Sequence, residues 1–143
     1  MTVALSNDSP MLLFGCGNMG RAMLDGWLRS GVDPSCFVVV DPYARDLPVG
    51  VMHIDDSRTV KHRFSTAILA IKPQLFAETA SDIERLLTPD AVVFSILAGT
   101  RLAALEGALP DRNILRLMPN LAAAIGKSPM GIFTSAALDK ASI

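Results

Sequence analysis

The stretch that decides the fold is Met11-Leu-Leu-Phe-Gly-Cys-Gly-Asn-Met-Gly20. Its first four residues form an apolar run that predicts a buried strand, and apolar residues at helical spacing follow from Met19 to Leu28. A G-x-G-x-x-G turn between strand and helix is typical of a dinucleotide site. The first glycine permits the tight turn, the second lets the backbone approach a pyrophosphate, and the third lets the helix pack on the strand.

The alternation of strand and helix continues along the chain. After the strand Met11–Phe14, further strands are predicted at Phe37–Val40, Val51–Ile54, Thr66–Ile71, Ala91–Ile96, Asn113–Met118 and Met130–Thr134. Helices are predicted at Asn18–Ser30, from a Ser57 cap to Phe64, at Gln74–Leu87, and from a Thr100 cap to about Leu109. This order predicts a doubly wound, mostly parallel, three-layer α/β fold of the Rossmann type, with ligands at the carboxyl ends of the strands.

The composition excludes several classes of protein. The chain has 143 residues, 50% hydrophobic and 19% charged, which predicts one globular domain. A net charge of -1 argues against nucleic acid or an anionic membrane as partner. No apolar run reaches the roughly 18 residues of a spanning helix, and the N-terminus lacks a signal-peptide pattern, so we expect a cytoplasmic protein. Two cysteines apart from any histidine cluster predict no metal site.

Asp41 ends the second predicted strand, about twenty residues after Gly20, where a carboxylate can accept hydrogen bonds from ribose hydroxyls. That position favours NAD. Arg45 lies four residues further on and could instead reach the 2′-phosphate of NADP, so both cofactors stay open. An ordinary Asp-Pro turn is the structural alternative for Asp41.

Four strings at the ends of predicted strands resemble pyrroline-5-carboxylate reductase. They are Phe14-Gly-Cys-Gly-Asn-Met-Gly20, Ala70-Ile-Lys-Pro-Gln74, Ser95-Ile-Leu-Ala-Gly99 and Arg116-Leu-Met-Pro-Asn120. The resemblance runs from about Met11 to Thr134 and covers only the N-terminal half of the family's architecture. It implies reduction of 1-pyrroline-5-carboxylate to L-proline with NADPH or NADH, in proline biosynthesis, by a full-length protein that is a homo-oligomer.

The resemblance also implies a role for individual residues. The pyrophosphate would lie on Gly15, Cys16, Gly17, Asn18, Met19 and Gly20, and the adenosine ribose on Asp41. Ile71, Lys72 and Pro73 would lie beside the nicotinamide ribose, Ala98 and Gly99 near the nicotinamide, and Met118, Pro119 and Asn120 on the substrate side. Hydride transfer to an imine needs a dry, positioned pocket, and no histidine, aspartate or tyrosine stands out as a catalytic residue.

Residues 1–134 are expected to form the dinucleotide-binding domain. Residues 135–143 would begin a linker helix toward a missing C-terminal helical domain, so we expect a truncated chain. Two departures from the family stand out. The short segment from Pro42 to Gly50 leaves little room for the usual helix between the second and third strands, and Leu121-Ala122 replace the usual threonine-proline.

Two other functions remain open. One is a related imine reductase, or an oxidoreductase resembling the F420-dependent NADP oxidoreductases, with the same fold and another substrate. The other is a stand-alone nucleotide-binding module without turnover. The Lys-Pro-Gln and Met-Pro-Asn strings favour the proline enzyme over the first of these.

Overall fold

A computed structural model describes residues 5–118 and 131–134. The strands are β1 (Met11–Phe14), β2 (Phe37–Val40), β3 (Met52–Ile54), β4 (Phe64–Leu69), β5 (Leu87–Ser95), β6 (Asn113–Met118) and β7 (Gly131–Thr134). The helices are α1 (Asn18–Arg29), α2 (Phe76–Arg85) and α3 (Leu102–Ala108). Short 3-10 helices lie at Pro34–Cys36, Ser57–Thr59 and Pro73–Leu75.

The strands form one sheet in the order β3-β2-β1-β4-β5-β6-β7. The first six are parallel, and β7 runs antiparallel beside β6 at one edge. The order reverses between β1 and β4, which opens a crevice at the carboxyl ends of these two strands. The predicted doubly wound, mostly parallel Rossmann-type fold is confirmed.

The central strands β1 and β2 are buried at every residue, and because successive side chains point to opposite sides, both faces of the sheet are covered there. Leu12 and Phe14 of β1 belong to one hydrophobic cluster, and Met11 and Leu13 belong to a second. Helices α2 and α3 pack into the first cluster, and α1 packs into the second. Helices therefore cover both faces, which gives the predicted three layers.

Some predicted boundaries were wrong for tertiary reasons. No α-helix runs from Ser57 to Phe64: the Asp56 carboxylate caps a single 3-10 turn, and Phe64 joins β4 opposite Leu87. Leu87 also belongs to a strand, so α2 ends two residues earlier than predicted. Strand β4 lies two residues before the predicted Thr66–Ile71, since Ala70 and Ile71 leave the sheet beneath the glycine turn.

The predicted cap of α3 was also wrong. Arg101, and not Thr100, precedes the helix, and its side chain makes no capping hydrogen bond. The Thr100 backbone instead closes a turn, with its N–H donating to the Leu97 carbonyl at 3.4 Å. The predicted strand from Met130 begins at Gly131 in the described part of the chain, and the predicted Ser135 cap lies outside the described residues.

The connection between β2 and β3 contains no helix, as its length and Pro48 predicted. Three apolar side chains of this loop, Ala44, Leu47 and Val51, pack into the cluster on the α1 side of the sheet. The loop thereby covers that face of the sheet with fewer residues than a helix would need. None of the described helices is long and apolar enough to cross a membrane.

Packing of α2 on the sheet can be tested at Ile83, which is fully buried. We expect Ile83→Ala to lower the free energy of unfolding by about 3 kcal/mol, because the deletion leaves a cavity in the core. Ser81→Ala, at an exposed position of the same helix, should change it by about 0.5 kcal/mol or less. Urea unfolding followed by circular dichroism measures both, and equal small effects would contradict this packing.

Candidate dinucleotide site

Two glycines of the turn after β1 stand where no side chain fits. Gly15 has φ +90°, and a Cβ there would lie 2.7 Å from Ile71 Cγ2 and 2.8 Å from the Ala70 carbonyl carbon. A Cβ at Gly20 would lie 3.0 Å from the Gly15 oxygen and 3.1 Å from the Ala70 Cβ. The first glycine therefore permits the tight turn against the end of β4, and the third permits close packing of α1 on that turn.

Gly17 is different, because a Cβ there would meet nothing within 4 Å. This exposed residue is the N-cap of α1 and provides no side-chain capping bond, and the first turn of the helix carries no acidic side chain. The N-terminal N–H groups of α1 thus face a space that the protein itself does not fill. A phosphate group suits this arrangement in both hydrogen bonding and charge.

Asp41 connects the ends of β1 and β2. Its Oδ2 accepts a 2.7 Å hydrogen bond from the Cys16 N–H. Its Oδ1 accepts bonds of 2.7 Å from the Tyr43 N–H and 3.0 Å from the Ala44 N–H. The carboxylate therefore fixes both the glycine turn and the start of the β2–β3 loop.

A cavity of about 950 Å³ lies at the carboxyl ends of β1, β2 and β4. Its lining residues are Phe14, Gly15, Gly17, Val40, Asp41, Pro42, Tyr43, Asp55, Asp56, Ser57, Arg58, Thr59, Ala70, Ile71, Lys72, Leu75 and Thr79. The volume is in the range of sites for cofactors and other small molecules. Its position beside the reversal of strand order is where open α/β sheets bind their ligands.

Five of the predicted contact residues line this cavity: Gly15, Gly17, Asp41, Ile71 and Lys72. Lys72 is exposed, and within the described part of the chain its ammonium contacts no carboxylate. Its charge is therefore available to an anion.

The other predicted residues do not line the cavity. Cys16, Asn18, Met19 and Gly20 complete the glycine turn and the first turn of α1, and Pro73 begins a 3-10 helix. Ala98 and Gly99 form an exposed turn after β5, and Met118, 43% exposed, ends β6. These three residues lie at the same edge of the sheet but on strands further from the cavity. Pro119 and Asn120 lie outside the described residues.

Sequence reasoning missed a second wall of the cavity. This wall consists of the segment Asp55 to Thr59 after β3, together with Leu75 and Thr79 on the far side. Tyr43, an 82% exposed residue that lines the cavity, was missed as well. The dipeptide Asp41-Pro42 marked the loop, but only its folded path brings Tyr43 to the site.

Cys16 is a poor nucleophile in this setting. Burial, together with the nearby Asp41 carboxylate, raises the pKa of its thiol to about 11 from 9.0. The thiol is therefore neutral at physiological pH and packs partly against the α1-side cluster. This agrees with its interpretation as a packing residue of the turn.

Comparison with known proteins identifies the family. A family model described as NADP oxidoreductase, coenzyme F420-dependent, matches residues 11–99, which is more than half of the chain. The chain belongs to this family. The F420-dependent NADP oxidoreductase match includes the glycine turn, Asp41 and Lys72, and it ends at Gly99.

Curated relatives of this chain include pyrroline-5-carboxylate reductases. Pyrroline-5-carboxylate reductase of Escherichia coli is 35% identical over 118 residues, which are 78% of this chain and 44% of that protein. The reductase of Methanosarcina acetivorans is 30% identical over 125 residues, 82% of this chain and 46% of that protein. The predicted resemblance is confirmed, and the chain spans about half the length of these relatives.

Solved structures agree with this family assignment. A pyrroline-5-carboxylate reductase from Coxiella burnetii is 26% identical with a TM-score of 0.79, covering 94% of this chain and 52% of that one. A Plasmodium falciparum pyrroline carboxylate reductase solved with NADP bound has a TM-score of 0.81 at 16% identity, covering 94% of this chain and 51% of that one. This second likeness bears on the fold alone.

Alanine substitutions at Gly15 and Gly17 are expected to have different effects, the first on stability and the second on binding. We expect Gly15→Ala to cost about 2–3 kcal/mol of stability, because it combines a positive φ with contacts below 3 Å. Gly17→Ala should leave the urea midpoint nearly unchanged but weaken NADH binding about tenfold, because its Cβ occupies the space left for a phosphate. Unfolding curves and calorimetric titrations measure both, and a Gly17→Ala chain that binds as wild type would contradict the assignment.

The Cys16 thiol predicts an alkaline loss of stability. Because its pKa is raised on folding, the stabilisation is complete below pH 9 and is lost as the pH rises toward 11. The thiol is only partly buried, so solvent screening reduces the effect, and we expect the wild-type chain to lose about 1 kcal/mol more than Cys16→Ala over this interval. Urea unfolding of both proteins at pH 8 and pH 10.5 checks this, and parallel losses would argue against it.

Proposed function

We propose that this chain is the cofactor-binding half of an enzyme that reduces 1-pyrroline-5-carboxylate to L-proline with NADPH or NADH. The observation that carries the proposal is the cavity between the glycine turn, Asp41 and Lys72, in a chain 35% identical to the E. coli reductase. The reductase would act in proline biosynthesis.

The residues present fit a dinucleotide. The uncapped N-terminus of α1 and the open space at Gly17 suit a pyrophosphate. Asp41 lines the end of the cavity where an adenosine ribose would lie, and Lys72 would provide a cation beside the second ribose. Ile71 and Pro73 flank that lysine in sequence, and Ala98, Gly99 and Met118, at the carboxyl ends of β5 and β6, would lie nearer the nicotinamide.

When bound, a reduced nicotinamide supplies the hydride that adds to the imine carbon. The part of this chain is to bind, orient and exclude water. The apolar lining of the cavity includes Phe14 at the end of β1, Ile71 just after β4 and Leu75 of the following 3-10 helix. A substrate that arrives as a protonated imine needs no strong acid from the protein, so we assign no catalytic residue here.

The wider assignments are also part of this proposal. Residues 1–134 would form the dinucleotide-binding domain, and residues 135–143 would begin the linker to a helical domain that completes the substrate pocket. The support is that the curated relatives are about twice as long as their match to this chain. Pro119 and Asn120 would lie on the substrate side. The complete protein would be a cytoplasmic homo-oligomer, as the resemblance to the reductases implies.

A related function has one observation in its favour. The family model takes its description from F420-dependent NADP oxidoreductases, which indicates the same cofactor half with another redox partner. The curated relatives favour the proline enzyme instead. Substrate tests decide between the two.

The proposal can be tested with a chimera in which residues 1–134 replace the corresponding half of the E. coli reductase. We expect this protein to oxidise NADH or NADPH when 1-pyrroline-5-carboxylate is added and to restore growth of a proline auxotroph. The same chimera with Gly17→Ala is the matched control and should lose most of this activity. A folded chimera that binds the cofactor but does not reduce the imine would contradict the assigned substrate.

A further inference from the structure

We propose that this cavity selects an adenosine ribose with a free 2′-hydroxyl, so that the protein binds NADH more tightly than NADPH. The inference rests on the proposed function, because it assumes that the cavity holds a dinucleotide. It goes beyond that function by naming the cofactor and the residues that discriminate. The discrimination comes from a fixed carboxylate, from the charges that surround it and from arginines that are already engaged.

The first argument is the number of acceptor positions on Asp41. A carboxylate has about four lone-pair positions. Three are used by the backbone N–H groups of Cys16, Tyr43 and Ala44. One position therefore remains on Oδ2, and it requires a donor. A ribose hydroxyl can donate there, whereas a phosphate dianion has only acceptor oxygens.

The second argument is that Asp41 is held in place. Turning its carboxylate away from a 2′-phosphate would break hydrogen bonds of 2.7 Å to Cys16 and to Tyr43. These bonds hold the glycine turn and the β2–β3 loop, so the movement would free donors in two segments at once. The carboxylate is thus a fixed negative element against the phosphorylated ribose.

The third argument is the charge around the ribose end. Asp55 and Asp56 follow β3 and line the same cavity as Asp41. Lys72 follows β4, two strand positions away from β2, which is about 10 Å across the sheet. A 2′-phosphate would bring close to two further negative charges to the side that already holds the carboxylates of Asp41 and Asp55, neither of which forms an ion pair in the described part of the chain, whereas Asp56 is paired with Arg58.

The fourth argument is that the nearby arginines already have partners. Arg58 donates to both oxygens of Asp56, with Nε–Oδ1 and Nη2–Oδ2 distances of 2.9 Å. This pairing lowers the pKa of Asp56, so the carboxyl group is ionised at neutral pH. Arg45 donates from Nη1 to the Ala44 carbonyl at 2.7 Å and to the Pro42 carbonyl at 3.3 Å. Arg58 would therefore have to leave Asp56 to neutralise a 2′-phosphate, and Arg45 does not line the cavity.

The experiment is a calorimetric titration of the 143-residue chain with four ligands: NADH, NADPH, ADP-ribose and the 2′-phosphate of ADP-ribose. The last two lack the nicotinamide and report on the ribose end alone. We expect the unphosphorylated ligand of each pair to bind about tenfold tighter at low salt, with the ratio shrinking in 0.5 M salt because charge repulsion is screened.

Three variants separate the effect of charge on binding from an effect on folding. Asp55→Lys changes an exposed side chain at the cavity, and we expect it to shift the ratio of NADPH affinity to NADH affinity about tenfold toward NADPH. Asp90→Lys makes the same charge change at an exposed position away from the cavity and should leave the ratio unaltered. Asp41→Asn keeps the shape of the side chain and should also reduce the preference, and Asp55→Lys decides if that variant does not fold.

Each outcome has a defined meaning. Equal binding of NADH and NADPH, or tighter binding of NADPH, by the wild-type chain would overturn this inference and leave the proposed function intact. A ratio that stays the same in Asp55→Lys would overturn the role of the surrounding charges. Binding of none of the four ligands by the folded chain would overturn both the inference and the proposed function.

Discussion

The site depends on one close approach between two pieces of backbone. The turn after β1 passes the end of β4 so tightly that a single added carbon at Gly15 would lie 2.7 Å from Ile71 and 2.8 Å from Ala70. This contact sets where α1 begins and directs its N-terminus over the crevice between β1 and β4. The cavity lies against this turn, with Gly15 and Gly17 in its lining, and the Asp41 carboxylate holds the turn from the side of β2.

The architecture was predictable wherever the apolar pattern and the fold agreed. Strands β1 and β2 were placed correctly from their apolar runs, since buried parallel strands are hydrophobic throughout, and β6 was placed correctly although Arg116 interrupts its apolar residues. The helix predicted from Ser57 to Phe64 was wrong because this segment has only two apolar residues to bury. Pairing of Phe64 with Leu87 in the sheet then outweighs a weak helical preference.

The candidate site was predictable only in part. Glycines at fixed spacing and an acidic residue after β2 have a known local geometry, so the sequence pointed to Gly15, Gly17 and Asp41. The second wall, from Asp55 to Thr59, has no periodic pattern and reaches the cavity only because β3 lies beside β2. The hydrogen bond from the Cys16 N–H to Asp41 likewise joins residues 25 positions apart, and no local sequence pattern predicts it.

That bond has a consequence for how the protein can change. In the proposed function Asp41 would contact the dinucleotide, and its bond to Cys16 also holds the glycine turn, so a substitution there would alter recognition and architecture together. Asp55 faces the same cavity, and no hydrogen bond of its side chain ties it to the scaffold in the described part of the chain. Evolution or protein engineering could therefore change the cofactor preference with less loss of stability through the loop after β3 than through Asp41.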